Sequence, residues 1–144
     1  MAVAYDPENV FAKILRGEIP SHKVYEDEVA LAIMDIMPRA EGHVLVIPKK
    51  PARGLLDIAP EDLAALITRV QHVAKAAEQA FDADGVTLQQ FNESAGGQVI
   101  FHLHFHILPR FEGVALRPPG SIGDQAKIKS QAEKIRAALG VFSG

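Results

Sequence analysis

Apolar residues along this chain recur at two spacings, one helical and one alternating. Val10, Phe11, Ile14 and Leu15 share a helical stripe behind Asp6-Pro7-Glu8, which reads as a helix start with Asp6 as N-cap, proline at the first helical position and acid in the first turn. Gly17 closes that helix, and Ile19-Pro20 leads the chain away. Lys23–Glu26 and Ala30–Met34 read as two short strands around an acidic Asp27-Glu28 turn. A third strand, His43–Ile47, follows the Pro38-to-Gly42 turn and is stopped by Pro48. Pro60 opens the longest helix, which Leu63, Leu66, Ile67, Val70, Val73 and Ala74 carry to about Phe81 before Asp84-Gly85 ends it. Val86–Phe91 is a further strand, Asn92 to Gly97 a flexible turn, and His102–Leu108 a strand that Pro109 ends. Beyond the Arg117-Pro118-Pro119-Gly120 linker, a last amphipathic helix near Gln125–Leu139 offers Ile128, Ala132, Ile135 and Leu139 to the body or to a partner. Helix, strands, helix, strands, helix is an α+β order with antiparallel connections, not a βαβ series.

At 144 residues the chain has the size of one domain, with its core at about residues 10–110 and a linker and helix over about 111–144. There is no cysteine, which excludes disulfides, thiolate zinc sites and a cysteine nucleophile. The N-terminus has neither the cationic start nor the apolar run of a secretory signal, and no stretch is apolar enough to span a membrane. A soluble, cytoplasmic protein is the expectation. A net charge of −3 argues against polymeric nucleic acid as a partner, while leaving room for a single nucleotide in a pocket.

Candidate chemistry concentrates in His102-Leu103-His104-Phe105-His106-Ile107-Leu108, which holds three of the six histidines at every second position. On a strand, alternate side chains share a face at about 6.6 Å intervals, so the three imidazoles form a row while Phe101, Leu103, Phe105 and Ile107 point into a core. Three readings stand side by side. The first is a structural cluster. The second is a metal site, which needs a ligand from elsewhere because three histidines in line do not close a polyhedron; His43, Asp35 or Glu93 are the candidates. The third is nucleophilic catalysis, in which the middle imidazole attacks phosphorus or an acyl carbon and its neighbours orient it or donate protons. Gly96-Gly97-Gln98, just upstream, can bring backbone amides and one side-chain donor to a phosphate. No Walker-type or Gly-x-Gly-x-x-Gly cradle is present. His22 and His72 read as surface histidines, and Lys49-Lys50 as a solvated pair.

The histidine run, preceded by Gly97-Gln98, resembles the His-x-His-x-His signature of the histidine triad (HIT) superfamily of nucleotide hydrolases and transferases. Phe11 to Pro20, Ala32 to Pro38 and Gly42 to Lys49 are similar to other blocks of that superfamily in the same order, so the resemblance covers about Val10 to Arg110. The first helix and the Asp35 region look closest to its bacterial Hint-like branch, which favours nucleoside phosphoramidates, and the Ile107-Leu108-Pro109-Arg110 exit to its diadenosine-polyphosphate branch. The resemblance implies one HIT domain over residues 1–144, with an antiparallel sheet of about five strands and helices packed on one side. It also implies a homodimer and a hydrolase acting at the α-phosphate of a purine nucleotide through a covalent nucleotidyl-histidine. The alternatives are a dinucleoside polyphosphate hydrolase and a nucleotide-binding interaction module with weak catalysis.

Position by position, the resemblance makes His104 the nucleophile and His106 the contact to the transferred phosphoryl and leaving group. It makes His102 and His43 supports behind the nucleophile. Val10, Phe11, Ile14, Ile33 and Ile36 fall at base-pocket positions, Asp35 at the ribose carboxylate, and Asn92, Gly97 and Gln98 at the phosphates. On composition alone those apolar residues would be ordinary core. Two departures stand out. The Asn92-to-Gly97 loop is one residue shorter than in many members, and Val99 stands where a hydroxyl often faces the phosphate. No structural metal and no cofactor is implied.

Overall fold

The structure is a computed structural model describing residues 4–142; Met1–Val3, part of the N-terminus read above, and residues 143–144 at the end of the tail lie outside them. Elements run α1 (Val10–Leu15), β1 (Lys23–Glu26), β2 (Ala30–Met34), β3 (Val44–Pro48), α2 (Pro60–Phe81), β4 (Gly85–Gln89), β5 (Phe105–Arg110) and α3 (Gln125–Ala138). The strands form one five-stranded sheet in the order β1-β2-β3-β5-β4, antiparallel at every pairing. The fold is therefore α+β, as the spacing predicts.

Alternation along β2 and β3 divides the core. Ala30, Ala32, Met34, Val44 and Val46 face α2 and α3, while Leu31, Ile33, Leu45 and Ile47 face Phe11 and Ile14 of α1. Both strands are buried at every position, as sheet covered on two sides demands. The two long helices share one face, and the short α1 roofs the other, where the histidines lie. Within α2, Leu66, Val70 and Val73 turn to the sheet, and Ala76 and Ala77 let the helix approach closely. Ile128, Ala132 and Ile135 of α3 join the same core, so this helix docks on the body. Gln131 ties it further by accepting from Gly42 N at 3.0 Å. Gly42 is obligatory: its φ is +76°, and a Cβ there would fall 2.3 Å from the Phe81 ring.

Several boundaries differ from the sequence reading. Asn9, not Asp6, caps α1, its Oδ1 accepting from Ala12 N at 2.9 Å; Asp6 closes the turn before it by accepting from Glu8 N. α2 ends on Asp82 in the left-handed region at φ 50°, and Gly85 opens β4 instead of ending the helix. Pro109 does not end β5, which runs on to Arg110. The β3–β5 ladder stops at Ile107, so Pro109 lies where β5 has a single neighbour and one edge needs no donor. His72 is no surface residue. Its ring sits between Tyr25 and Phe142, with centroids 5.4 Å away on each side, and its Nε2 is buried without a partner.

Candidate active site

Of the three alternate histidines only His106 lies on β5; His102 and His104 occupy the irregular run that feeds it. That run is pinned by Leu103 N donating to Ala52 O at 2.8 Å. The single-faced row of three is therefore not formed. His104 and His106 line a cavity of about 540 Å³ between α1 and the sheet, while His102 and His43 stand behind its wall. The volume suits a nucleotide-sized ligand.

Each ring meets partners that fix its tautomer. His104 Nδ1 lies 2.6 Å from the carbonyl of His102, which can only accept, so the proton sits on Nδ1 and the Nε2 lone pair is left for the cavity. His102 Nε2 donates to Pro48 O at 2.9 Å, so its Nδ1 accepts from the Tyr5 hydroxyl at 2.6 Å. The carbonyl that orients His104 thus belongs to a residue bolted at both ring nitrogens. The edge of Phe11 meets the His104 ring at a centroid distance of 4.9 Å and limits its rotation.

His43 belongs to a second chain of bonds. Arg39 N donates to His43 Nδ1 at 3.1 Å, which leaves the proton on His43 Nε2, 3.0 Å from His106 Nδ1 and 3.5 Å from Asp35 Oδ2. His106 Nδ1 accepts, so its own proton is on Nε2. His43 therefore holds His106, not His104, a correction to its expected place behind the nucleophile. The cavity receives one lone pair from His104 and one N–H donor from His106, whose rings lie 5.0 Å apart.

Burial keeps all four rings neutral at pH 7. It depresses His43 to about 4, with Arg39 and His104 adding to the effect, and His106 to about 3, with His104 and His43 adding. His104 and His102 are lowered for the same first reason, each partly offset by the backbone carbonyl its ring donates to.

The metal reading meets this tautomer chain. Asp35, His43 and His106 bring one ligand atom each within 4.8 Å of one another. To ligate through Nε2, however, His43 would have to give up the proton that the Arg39 amide forces onto that atom. The donor set does not suit a cation. Glu93 is elsewhere, in a bidentate pair with Arg53 at 2.8 and 3.0 Å.

The expected base-pocket residues Val10, Phe11, Ile14, Ile33 and Ile36 all line the cavity, as does Asp35. Asp35 Oδ1 is taken by Met37 N at 2.8 Å, leaving Oδ2 to accept from a ligand. The phosphate-side expectations fare differently. Gly97 and Gln98 line the cavity, but the Gln98 amide is spent inward: Nε2 donates to Arg53 O and Ile100 O, and Oε1 accepts from Glu93 N. The amides of Gly96, Gly97 and Gln98 close on Glu93 and Ser94 carbonyls, so these three donors are not a phosphate cradle. Asn92 bonds Leu55 N and Gln90 and does not line the cavity. Gly97 is needed for its φ of +95°.

Sequence reasoning missed Tyr5, Arg39, Gln89 and Phe91. Gln89 was within reach of a register argument, since it pairs with His106 and so shares its face. Phe91, edge-on to His106 at 5.6 Å, follows two residues later, just beyond the end of β4. Tyr5 and Arg39 carry no local signal.

A family model for the HIT domain matches residues 16–113. The adenylylsulfatase HINT3 of Arabidopsis thaliana is 44% identical over 103 residues, 72% of this chain but only 52% of the plant protein. A crystal structure of a HIT-like protein involved in cell-cycle regulation from Bartonella henselae, with an unknown ligand, superposes at a TM-score of 0.91 with 55% identity, covering 95% of this chain and 100% of that one. A zinc-bound histidine triad family protein from Mycobacterium smegmatis gives 0.82 and 36%, covering 92% and 93%.

Proposed function

Since this chain belongs to the histidine triad (HIT) family of nucleotide-binding hydrolases, we propose that it cleaves purine nucleotides at the α-phosphorus through a covalent nucleotidyl-His104. The observation that carries the reading is the His104 tautomer: Nδ1–H held by the His102 carbonyl, Nε2 free toward the cavity. His104 Nε2 forms a bond to phosphorus, and the bond from phosphorus to the leaving group breaks with its electron pair. His106 Nε2–H donates to the departing atom, and His43 keeps it oriented. Positive charge on the nucleotidylated ring is stabilised by the His102 carbonyl, itself fixed by Tyr5 and Pro48. Water then attacks phosphorus, the pair returns to Nε2, one proton goes to solvent and the nucleoside monophosphate leaves. Val10, Phe11, Ile14, Ile33 and Ile36 sandwich the base, and Asp35 Oδ2 accepts from the ribose hydroxyls.

The resemblance leaves two substrate classes, phosphoramidates and dinucleoside polyphosphates, and HINT3, by its name, acts on an adenylyl sulfate. Turnover of adenosine phosphoramidate analogues and diadenosine polyphosphates by wild type and His104→Ala tests the reading. The substitution is expected to cost about a thousandfold or more; hydrolysis of both at the wild-type rate contradicts the assignment. Two features favour a weakly catalytic nucleotide-binding module: Val99 offers no hydroxyl, and the Gly96–Gln98 amides are spent. Tight nucleotide binding with no turnover of any substrate would select it.

A homodimer completes the proposal. β4 is an edge of the sheet, and Val86 and Leu88 on it are 36% and 49% exposed beside α2. Pairing two such edges covers both.

A further inference from the structure

We infer that α1 and the arm before it couple the base of the substrate to the nucleophile. A base seated against α1 holds the arm down on the sheet, and Tyr5 converts that closure into the aim of His104. The inference rests on the nucleotidyl-transfer reading above and deepens it, making Tyr5 a positioning residue whose effect depends on whether a base is present.

The first observation is how residues 4–21 are attached. Inside that segment the bonds are many: Asn9 caps the helix, Arg16 at its far end donates to Pro7 O at 2.7 Å, and Glu8 and Glu18 both pair with Arg16. Gly17 N and Glu18 N close the last turn on Ile14 O and Lys13 O at 3.0 and 2.9 Å. The arm and the helix therefore move as one piece. Toward the rest of the molecule a single hydrogen bond leaves this piece among the described residues, between the Tyr5 hydroxyl and His102 Nδ1 at 2.6 Å. Among those residues, no backbone hydrogen bond joins it to the sheet. What else holds it is apolar, with Phe11 and Ile14 clustered on Leu31, Ile33, Leu45 and Ile47.

The second is where those few attachments lead. Val10, Phe11 and Ile14 line the cavity from α1, and Ile33 and Ile36 line it from β2 and the turn after it, so a base between them adds contacts that exist only while α1 is down. The Phe11 ring that would meet the base also stands edge-on to His104, at 4.9 Å, and to His102, at 6.4 Å. Tyr5 fixes the His102 ring, and the carbonyl of His102 holds His104 Nδ1. One piece of chain thus carries both the wall against the base and two contacts that set the nucleophilic ring. Whatever stabilises its closed position stabilises the Tyr5–His102 bond with it, and the coupling is reciprocal. Binding energy from the base then appears in the chemical step, because it orients His104 as well as holding the substrate.

The test is single-turnover release of p-nitrophenolate from the p-nitrophenyl diesters of adenosine 5′-phosphate and of ribose 5-phosphate, which differ in the base. The limiting rate reads bond formation at His104, and half-saturation reads binding. In wild type, loss of the base is expected to lower the limiting rate about tenfold or more, beyond its effect on half-saturation. Tyr5→Phe should slow the adenosine diester and shrink that base effect to about twofold or less, because the link is cut. Arg16→Ala, which unties the helix from Pro7 at a position outside the cavity lining, should shrink it part-way. A base effect confined to half-saturation in wild type, or undiminished in either variant, overturns the coupling and leaves nucleotidyl transfer standing. Release from neither diester by wild type overturns nucleotidyl transfer itself, and this inference with it.

Discussion

The chemistry proposed here depends on a single lone pair, that of His104 Nε2, aimed by a carbonyl two residues upstream. What holds that carbonyl is the His102 ring, and what holds the ring on its open side is Tyr5. Tyr5→Phe leaves the buried His102 Nδ1 without a donor. Urea unfolding should show a loss of about 1–3 kcal/mol, and kcat should fall further than KM rises, because the nucleophile loses its fixed aim. Unchanged stability and kcat would show that the hydroxyl contributes nothing. The neutral rings set the pH response. His43 and His106 have folded values of about 4 and about 3, below the ordinary 6.5. The unfolded chain thus binds protons below pH 6.5 that the folded protein refuses, so stability is level above that pH and falls as pH drops toward 4 and below. Denaturant titrations from pH 8 to 4 should trace that decline; a rise on acidification would contradict the neutral pair.

Proline and glycine punctuation made most elements legible. β1, β2 and α2 match their predicted ranges because each is bounded by local turn or cap chemistry and carries an unbroken period. Pro109 misled because a proline's cost depends on whether a second strand lies on its edge, a fact about β3 that sequence spacing does not hold. The site was legible as a set of residues but not as a set of bonds. His104, His106 and Asp35 line the cavity, yet Gln98 turns inward to Arg53, 45 residues away, and His43 serves His106. Those choices are made by carbonyls and amides brought together by the fold. The docking of α3 is likewise tertiary: its stripe was visible, its partner was not. Ile135 is fully buried against the sheet-side core, so Ile135→Ala should cost about 2–5 kcal/mol by urea unfolding. A cost near zero would mean that α3 is not part of the folding unit.

The proposed pairing of two copies and the proposed chemistry meet along β4. Val86 and Leu88 lie half-exposed on its α2-side face, while Gln89 at its end pairs with His106 and lines the cavity. A second copy added to the β4 edge would brace the strand that borders the active site. Sedimentation equilibrium should give twice the 15.6 kDa chain mass for wild type and the chain mass for Val86→Lys/Leu88→Lys. A wild-type monomer, or a dimer indifferent to both lysines, removes this interface. The most direct examination of the whole reading is mass spectrometry of the enzyme caught during turnover, quenched without acid because a phosphorus–nitrogen bond to imidazole is acid-labile. The peptide containing His104 should carry one nucleotidyl group that disappears as substrate is exhausted. Product formed at the normal rate with that peptide unmodified, or with the group on His106, would contradict it.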